Sequence, residues 1–301
     1  MKRRKFLKTS SMACLVGAAA SASPYADVKM VGQEDEQPSI CLNAYSFNRQ
    51  LKDGEMGLGD LFRFAAETGF EGVDLTAYYI PGYPEVPPDE VLYDIKKMAF
   101  RLGLNVIGTG VRNDFALTDP AAREKEIQLV KHWVIAAQKM GATSVRVFSG
   151  RTAAEGHPRD EVKSWIIAAM QECADFAREH GVMIAYQNHD DYVVTTSDIL
   201  DLLTGVHSDW FGLMLDIGSL PVPDPYAEIE KLIPYAITWQ IKSHVKTGNG
   251  TEPTDFARLM KIIKTHGYRG YLPIEALGPG DPYAKVREIH RNVTENLSLN
   301  W

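Results

Sequence analysis

The sequence predicts a single α/β domain, a (β/α)8 or TIM barrel, on three observations. Eight short apolar runs, many of them β-branched, alternate with longer stretches of helical period. The runs are apolar along nearly their whole length rather than at every second residue, which marks strands of a parallel sheet covered by helices. No composition break or internal linker interrupts this rhythm over residues 38–301, and such a barrel needs roughly 250 residues. A glycine-rich phosphate fingerprint is missing after the first run, which argues against an open dinucleotide-binding sheet.

Residues 1–26 stand apart from the barrel. Arg3 and Arg4 open the string RRKFLK, an apolar run follows over 12–20, and small residues lead to Ala22 and Ala26. That order reads as an export signal of the twin-arginine type, with an apolar run too short to span a membrane. The expected location is therefore the periplasm, with a polar linker over 27–37. Strands are expected over 39–45, 72–76, 105–108, 144–148, 183–187, 212–216, 237–241 and 272–275. Amphipathic helices are expected over 58–68, 89–102, 121–140, 159–180, 197–203, 227–233, 254–266 and 282–296. Five of them run into a glycine at the expected stop: Gly69, Gly103, Gly141, Gly181 and Gly267.

Charge narrows the class of partner. The chain carries −7, and removal of the five basic residues of the signal (Lys2, Arg3, Arg4, Lys5 and Lys8) takes it to −12. An acidic body argues against nucleic acid, because phosphate binding needs a basic surface. Cys41 on an early strand and Cys173 on a distant helix are expected as free, buried thiols.

In a barrel of this kind chemistry sits at the C-terminal ends of the strands. Strand five ends in Gln187-Asn188-His189-Asp190, strand six at Asp216, strand seven in Gln240-Ile241-Lys242, and strand eight at Glu275. Four consecutive strands thus bring oxygen-bearing groups to one rim, a set that suits a hard divalent cation, manganese or magnesium first and zinc next. Each residue also has a plainer reading, Asp216 as a helix cap for instance. Apolar runs lead straight into Asp216 and Glu275, however, and a bare buried carboxylate costs several kcal/mol unless compensated. Tyr45, Tyr78, Tyr79 and Trp239 fall near the same rim as stacking platforms or packing residues. Arg146 lies within strand four, in reach of barrel carboxylates. The proline-rich loop 80–88 is stiff enough to wall the pocket.

The chain resembles the xylose isomerase-like barrels, which include sugar epimerases, inosose dehydratases and family-two AP endonucleases. The resemblance spans nearly all of 39–296 and rests on AAETGFEGVDLT (65–76), VRVFSG (145–150), IAYQNHDD (184–191), LMLDIGS (213–219), TWQIKSH (238–244) and GYRGYLPIEALG (267–278). It implies a metal site, held in the family's epimerases by Glu, Asp, His and Glu from strands five to eight. Those positions fall here on Gln187, Asp216, Gln240 and Glu275, so two of the four depart from the pattern. Both glutamines can ligate through an amide oxygen, at lower site charge and weaker affinity. Gln187, however, cannot accept a proton at neutral pH.

The resemblance implies a metal-dependent isomerase or epimerase that abstracts a proton next to the carbonyl of an unphosphorylated sugar or keto-sugar. Glu275 is the expected base, His189 the second proton carrier, and Lys242 a group that binds a substrate oxygen or balances the acids around it. A keto-sugar lyase or dehydratase needs one base and competes with this reading, as does a sugar-binding protein whose catalysis has decayed. A small carbohydrate is the expected partner, with no nucleic acid, no membrane span and an oligomer left open.

Overall fold

The computed structural model describes residues 37–301, apart from 152 and 190. The expected signal over 1–26 and nearly all of the linker lie outside the described residues.

The first strand, β1 (Ser39–Asn43), ends two residues before the expected point. Asn43 accounts for this, since its side chain accepts the Tyr45 N–H at 2.8 Å and caps a 3-10 turn over Ala44–Phe47. The short α1 (Asn48–Lys52) and then α2 (Leu58–Thr68) lead to β2 (Gly72–Thr76). Gly69 ends α2 in the left-handed region at φ 91°, where only glycine carries no side-chain penalty. Next come α3 (Asp89–Arg101), β3 (Asn105–Gly110), α4 (Pro120–Met140), β4 (Ser144–Val147), α5 (Arg159–Glu179) and β5 (Met183–Gln187). They are followed by α6 (Thr196–Gly205), β6 (Phe211–Asp216), α7 (Pro225–Leu232) and β7 (Ala236–Gln240).

An antiparallel hairpin, β8 (His244–Thr247) and β9 (Gly250–Pro253), then rises beyond the end of β7. It was not expected, although Asn249-Gly250 at its tip is a strong hairpin signal. The chain closes with α8 (Phe256–Thr265), β10 (Tyr271–Ile274) and α9 (Pro282–Asn300), the last extending four residues past its expected end.

The strands form one parallel sheet in the order β10-β1-β2-β3-β4-β5-β6-β7. A parallel bridge between Ile241 and Ile274 joins its two edges. The Ile241 N–H donates to the Pro273 carbonyl at 2.8 Å and the Glu275 N–H to the Ile241 carbonyl at 2.9 Å. The barrel is therefore nearly closed, which leaves few strand edges unpaired. Between strands and helices lies one continuous core, in which Trp133, Tyr186 and Trp239 are wholly buried. Cys41 and Cys173 are buried and free, as expected. Among the described residues, no helix is long and apolar enough to cross a membrane.

Candidate active site

Three of the four expected strand-end ligands meet directly. Asp216 of β6 stands beside Gln240 of β7 in register, and Gln187 closes β5 next to them. The Gln187 amide donates to Asp216 Oδ2 at 2.9 Å and to Gln240 Oε1 at 2.7 Å. Glu275, one residue beyond β10, joins the group through Lys242. Nζ of Lys242 lies 2.7 Å from Asp216 Oδ2 and 3.0 Å from Glu275 Oε2. Gln187, Asp216, Gln240 and Glu275 are all buried, and Lys242 exposes only 12% of its side chain.

Asp216 is fully buried, so its charge has to be met inside the protein. Besides Gln187 and Lys242, the Gly218 N–H donates to Oδ1 at 2.9 Å and the Ser219 hydroxyl to Oδ2 at 3.1 Å. Asn188 fixes the strand end from the other side, donating to the Asp216 carbonyl and accepting its N–H, both at 2.9 Å. The string D-I-G-S thus forms a carboxylate-binding turn as well as an ending for β6. For Lys242, burial alone would push the amine down. The charges of Asp216 and Glu275, with their hydrogen bonds, outweigh burial and hold the ammonium well above its usual range.

Deeper in the barrel, Asp74 accepts from the Asn43 amide at 2.8 Å. Gly108 makes room for it, since a Cβ there would lie 3.3 Å from Asp74 Oδ1 and 2.9 Å from the Ser144 hydroxyl. Burial pushes the Asp74 carboxyl up to about 6, with Arg146 opposing the rise and Glu275 adding to it. Arg146 gives its hydrogen bonds to the Val111 carbonyl (2.6 Å) and the Tyr78 hydroxyl (2.9 Å), not to a carboxylate as expected.

A cavity of about 540 Å³ opens above this floor, lined by Glu275, Lys242, Gln187, Gln240, His189 and Arg146, with Tyr45 and Tyr78 on one wall. Arg112 and Arg151 face it together with Asp114, Glu126 and Asp191, so both signs of charge line the walls. The proline loop contributes no residue to the cavity lining and instead backs the Tyr78 wall from behind. Tyr83 packs edge-on against Tyr78 at 5.2 Å, and its hydroxyl accepts the Arg112 N–H at 2.9 Å. Trp239 does not reach the cavity. It packs in the core against Tyr268, which leaves it a structural role.

His189 is half-buried on the cavity wall, with its ring 5.0 Å from that of Phe148. The buried carboxylate of Asp191 lies 3.4 Å from His189 Nδ1 and 3.8 Å from Arg151 Nε. Asp191, Gly218, Asp74, Arg112, Asp114 and Glu126 are site residues that the sequence did not single out. The first two lie within two residues of strand-end groups already singled out, and only the folded geometry shows their place in the site.

The profile of the xylose isomerase-like TIM barrel family matches residues 62–293. The chain belongs to that family. No curated protein matches it by sequence. Among solved structures, a 3-keto-D-glucoside 4-epimerase from E. coli superposes with a TM-score of 0.70 at 13% identity, over 86% of this chain and 100% of the other. A xylose isomerase-like TIM barrel protein from Mycobacterium smegmatis, in complex with magnesium, gives a TM-score of 0.66 at 19% identity, over 87% and 98%. The chain also matches a fusion of a xylose isomerase-like TIM barrel with 4-hydroxyphenylpyruvate dioxygenase, at 15% identity and a TM-score of 0.69, over 88% of itself but 43% of that chain. At these identities the likeness concerns the fold.

The magnesium held by one relative raises the question of whether Gln187, Asp216, Gln240 and Glu275 fit a divalent ion. As folded, they do not. The two carboxylates converge on Nζ of Lys242, and Gln187 turns its nitrogen rather than its oxygen toward Asp216. Turning the amide would offer the oxygen but leave the ammonium in place. Among the described residues, no three His, Cys, Asp or Glu side chains group closely enough to hold an ion.

Proposed function

We propose that this chain is an exported enzyme that moves a proton next to the carbonyl of an unphosphorylated sugar or keto-sugar, as an isomerase or epimerase. The observation that carries the reading is the buried Glu275–Lys242 pair on the floor of a cavity whose walls carry both signs of charge, with His189 and Asp191 close together on its wall. Family membership and the epimerase fold of its neighbours support the reaction class.

Glu275 takes the proton from the carbon beside the carbonyl. The C–H electron pair becomes the new C=C bond and the carbonyl π pair moves onto oxygen, where an N–H of Lys242 holds the developing negative charge. His189, whose Nδ1 lies 3.4 Å from the Asp191 carboxylate, returns a proton to the opposite face for epimerisation. For isomerisation the hydroxyl proton on the deprotonated carbon passes to the enolate oxygen, the carbonyl forms on that deprotonated carbon, and His189 protonates the former carbonyl carbon. Gln187 takes no part in proton transfer and serves to fix Asp216. A dehydratase is the second reading, favoured by the presence of one carboxylate base at the cavity floor. His189 would then protonate a departing hydroxyl two carbons from the carbonyl, and water would leave.

Incubation with aldoses, ketoses and keto-glycosides in D2O, followed by NMR, tests the reading. Deuterium beside the carbonyl of an epimer or isomer supports it, and an enone product supports the dehydratase. A ligand that binds without exchange overturns both and leaves a sugar-binding protein.

A further inference from the structure

The cluster on the cavity floor already contains a cation. We infer that the Lys242 ammonium is the resident cation of this site, standing where a divalent metal would sit, and that the enzyme works without one.

Three observations carry this. First, Nζ is placed between the two buried carboxylates, 2.7 Å from Asp216 and 3.0 Å from Glu275. An ammonium has three N–H groups, so two are used and one is left for a ligand oxygen. Lys242 lines both the main cavity and the adjoining cleft of about 550 Å³ beneath the β8–β9 hairpin.

Second, the surroundings are built around the lysine stem. A Cβ on Gly218 would lie 2.6 Å from Cδ of Lys242, so any larger residue at this turn would push the stem from its present path into the cluster. The Thr254 hydroxyl donates to the Lys242 carbonyl at 2.7 Å and fixes the backbone from which the stem starts.

Third, the ammonium already takes up charge that a divalent ion would need. Two carboxylates and two neutral amides carry −2, which the ammonium reduces to −1. A divalent ion added beside the lysine would set three positive charges against two negative ones in a desolvated space, where repulsion is strong. Lysine as a point-charge donor supplies what a metal would: polarisation of the carbonyl and a partner for the enediolate oxygen.

The electrophilic role rests on the proposed sugar chemistry, whereas the exclusion of metal does not. The test therefore uses Mn2+ alone, titrated into the mature protein and followed by calorimetry and by EPR of the free ion. Wild type is expected to show no stoichiometric site up to roughly 1 mM Mn2+, the weak end of protein cation sites. Lys242→Met keeps the stem and removes the charge, and it should gain one Mn2+ site at least about tenfold tighter than any wild-type binding. Gly218→Ala, which displaces the stem but keeps the lysine, should gain affinity in the same direction. Circular dichroism would establish that both variants fold. A stoichiometric, micromolar Mn2+ site in wild type would overturn the inference, as would no gain in either folded variant. Loss of deuterium exchange with metal exclusion intact would count against the sugar reading alone.

Discussion

Glu275 and Asp74 are both buried acids, yet their surroundings set them different tasks. Glu275 faces the cavity and has an ammonium at 3.0 Å, the placement that the proposed proton transfer uses. Glu275→Gln keeps the shape and removes the base, and turnover should fall by about 10²–10⁴-fold while ligand binding persists. An equal loss of binding in calorimetry would argue that Glu275 only positions the substrate. Asp74 lies below the cavity, and its carboxyl is raised from an ordinary 3.8 to about 6. The folded protein therefore holds that proton more tightly than the unfolded chain does. The resulting stability is fully present below pH 3.8 and is lost as the pH rises through 6. The loss is on the order of 3 kcal/mol. Urea unfolding at pH 4 and pH 7 should show this fall in wild type and a flatter profile in Asp74→Asn. Equal slopes in the two proteins would refute the assignment.

At the scale of elements, close approach matters more than propensity. Gly72 opens β2 where a Cβ would lie 2.8 Å from the Asn105 carbonyl and 2.7 Å from Ile107 Cγ2, so strand β3 leaves no room for one. Gly72→Ala should cost about 1–3 kcal/mol, the usual penalty for overpacking, and thermal unfolding would measure it. A change below a few tenths would mean that β2 and β3 separate easily. The β8–β9 hairpin works at the same scale. It rises from the end of β7, and its residues His244, Val245 and Thr251 help line the cleft beside Lys242, while the strands below supply the charged groups.

For the whole molecule, two cavities share one floor. Lys242, Glu275 and His189 line both the 540 Å³ cavity and the 550 Å³ cleft under the hairpin. On the proposed function, a substrate of two sugar rings would span both, with its reacting carbon at the junction. Glycosides of a keto-sugar should therefore show a higher kcat/KM than the free monosaccharide, and a monosaccharide preference would place the second cavity outside the substrate path. The acidic body fits a partner without phosphate. For the N-terminal segment we propose export, so replacing Arg3 and Arg4 by lysine should hold the precursor in the cytoplasm. Fractionation would reveal the alternative, in which the change leaves the distribution as it was.

The sequence by itself determined the barrel and the rim. Strand and helix order follow from apolar period and glycine stops, which are local properties. The rule that chemistry lies at C-terminal strand ends then picked out Gln187, Asp216, Gln240, Lys242 and Glu275 together. What only the tertiary structure decided is which of these groups satisfies which. Gln187 turns its nitrogen to Asp216, Lys242 comes between the two carboxylates, and Gly218 clears its path, although these residues come from four different strand ends. Their spacing along the chain carries no record of that arrangement. A buried charge is compensated by whatever lies within about 3 Å of it, and that distance is set by closing the barrel rather than by any neighbour in sequence.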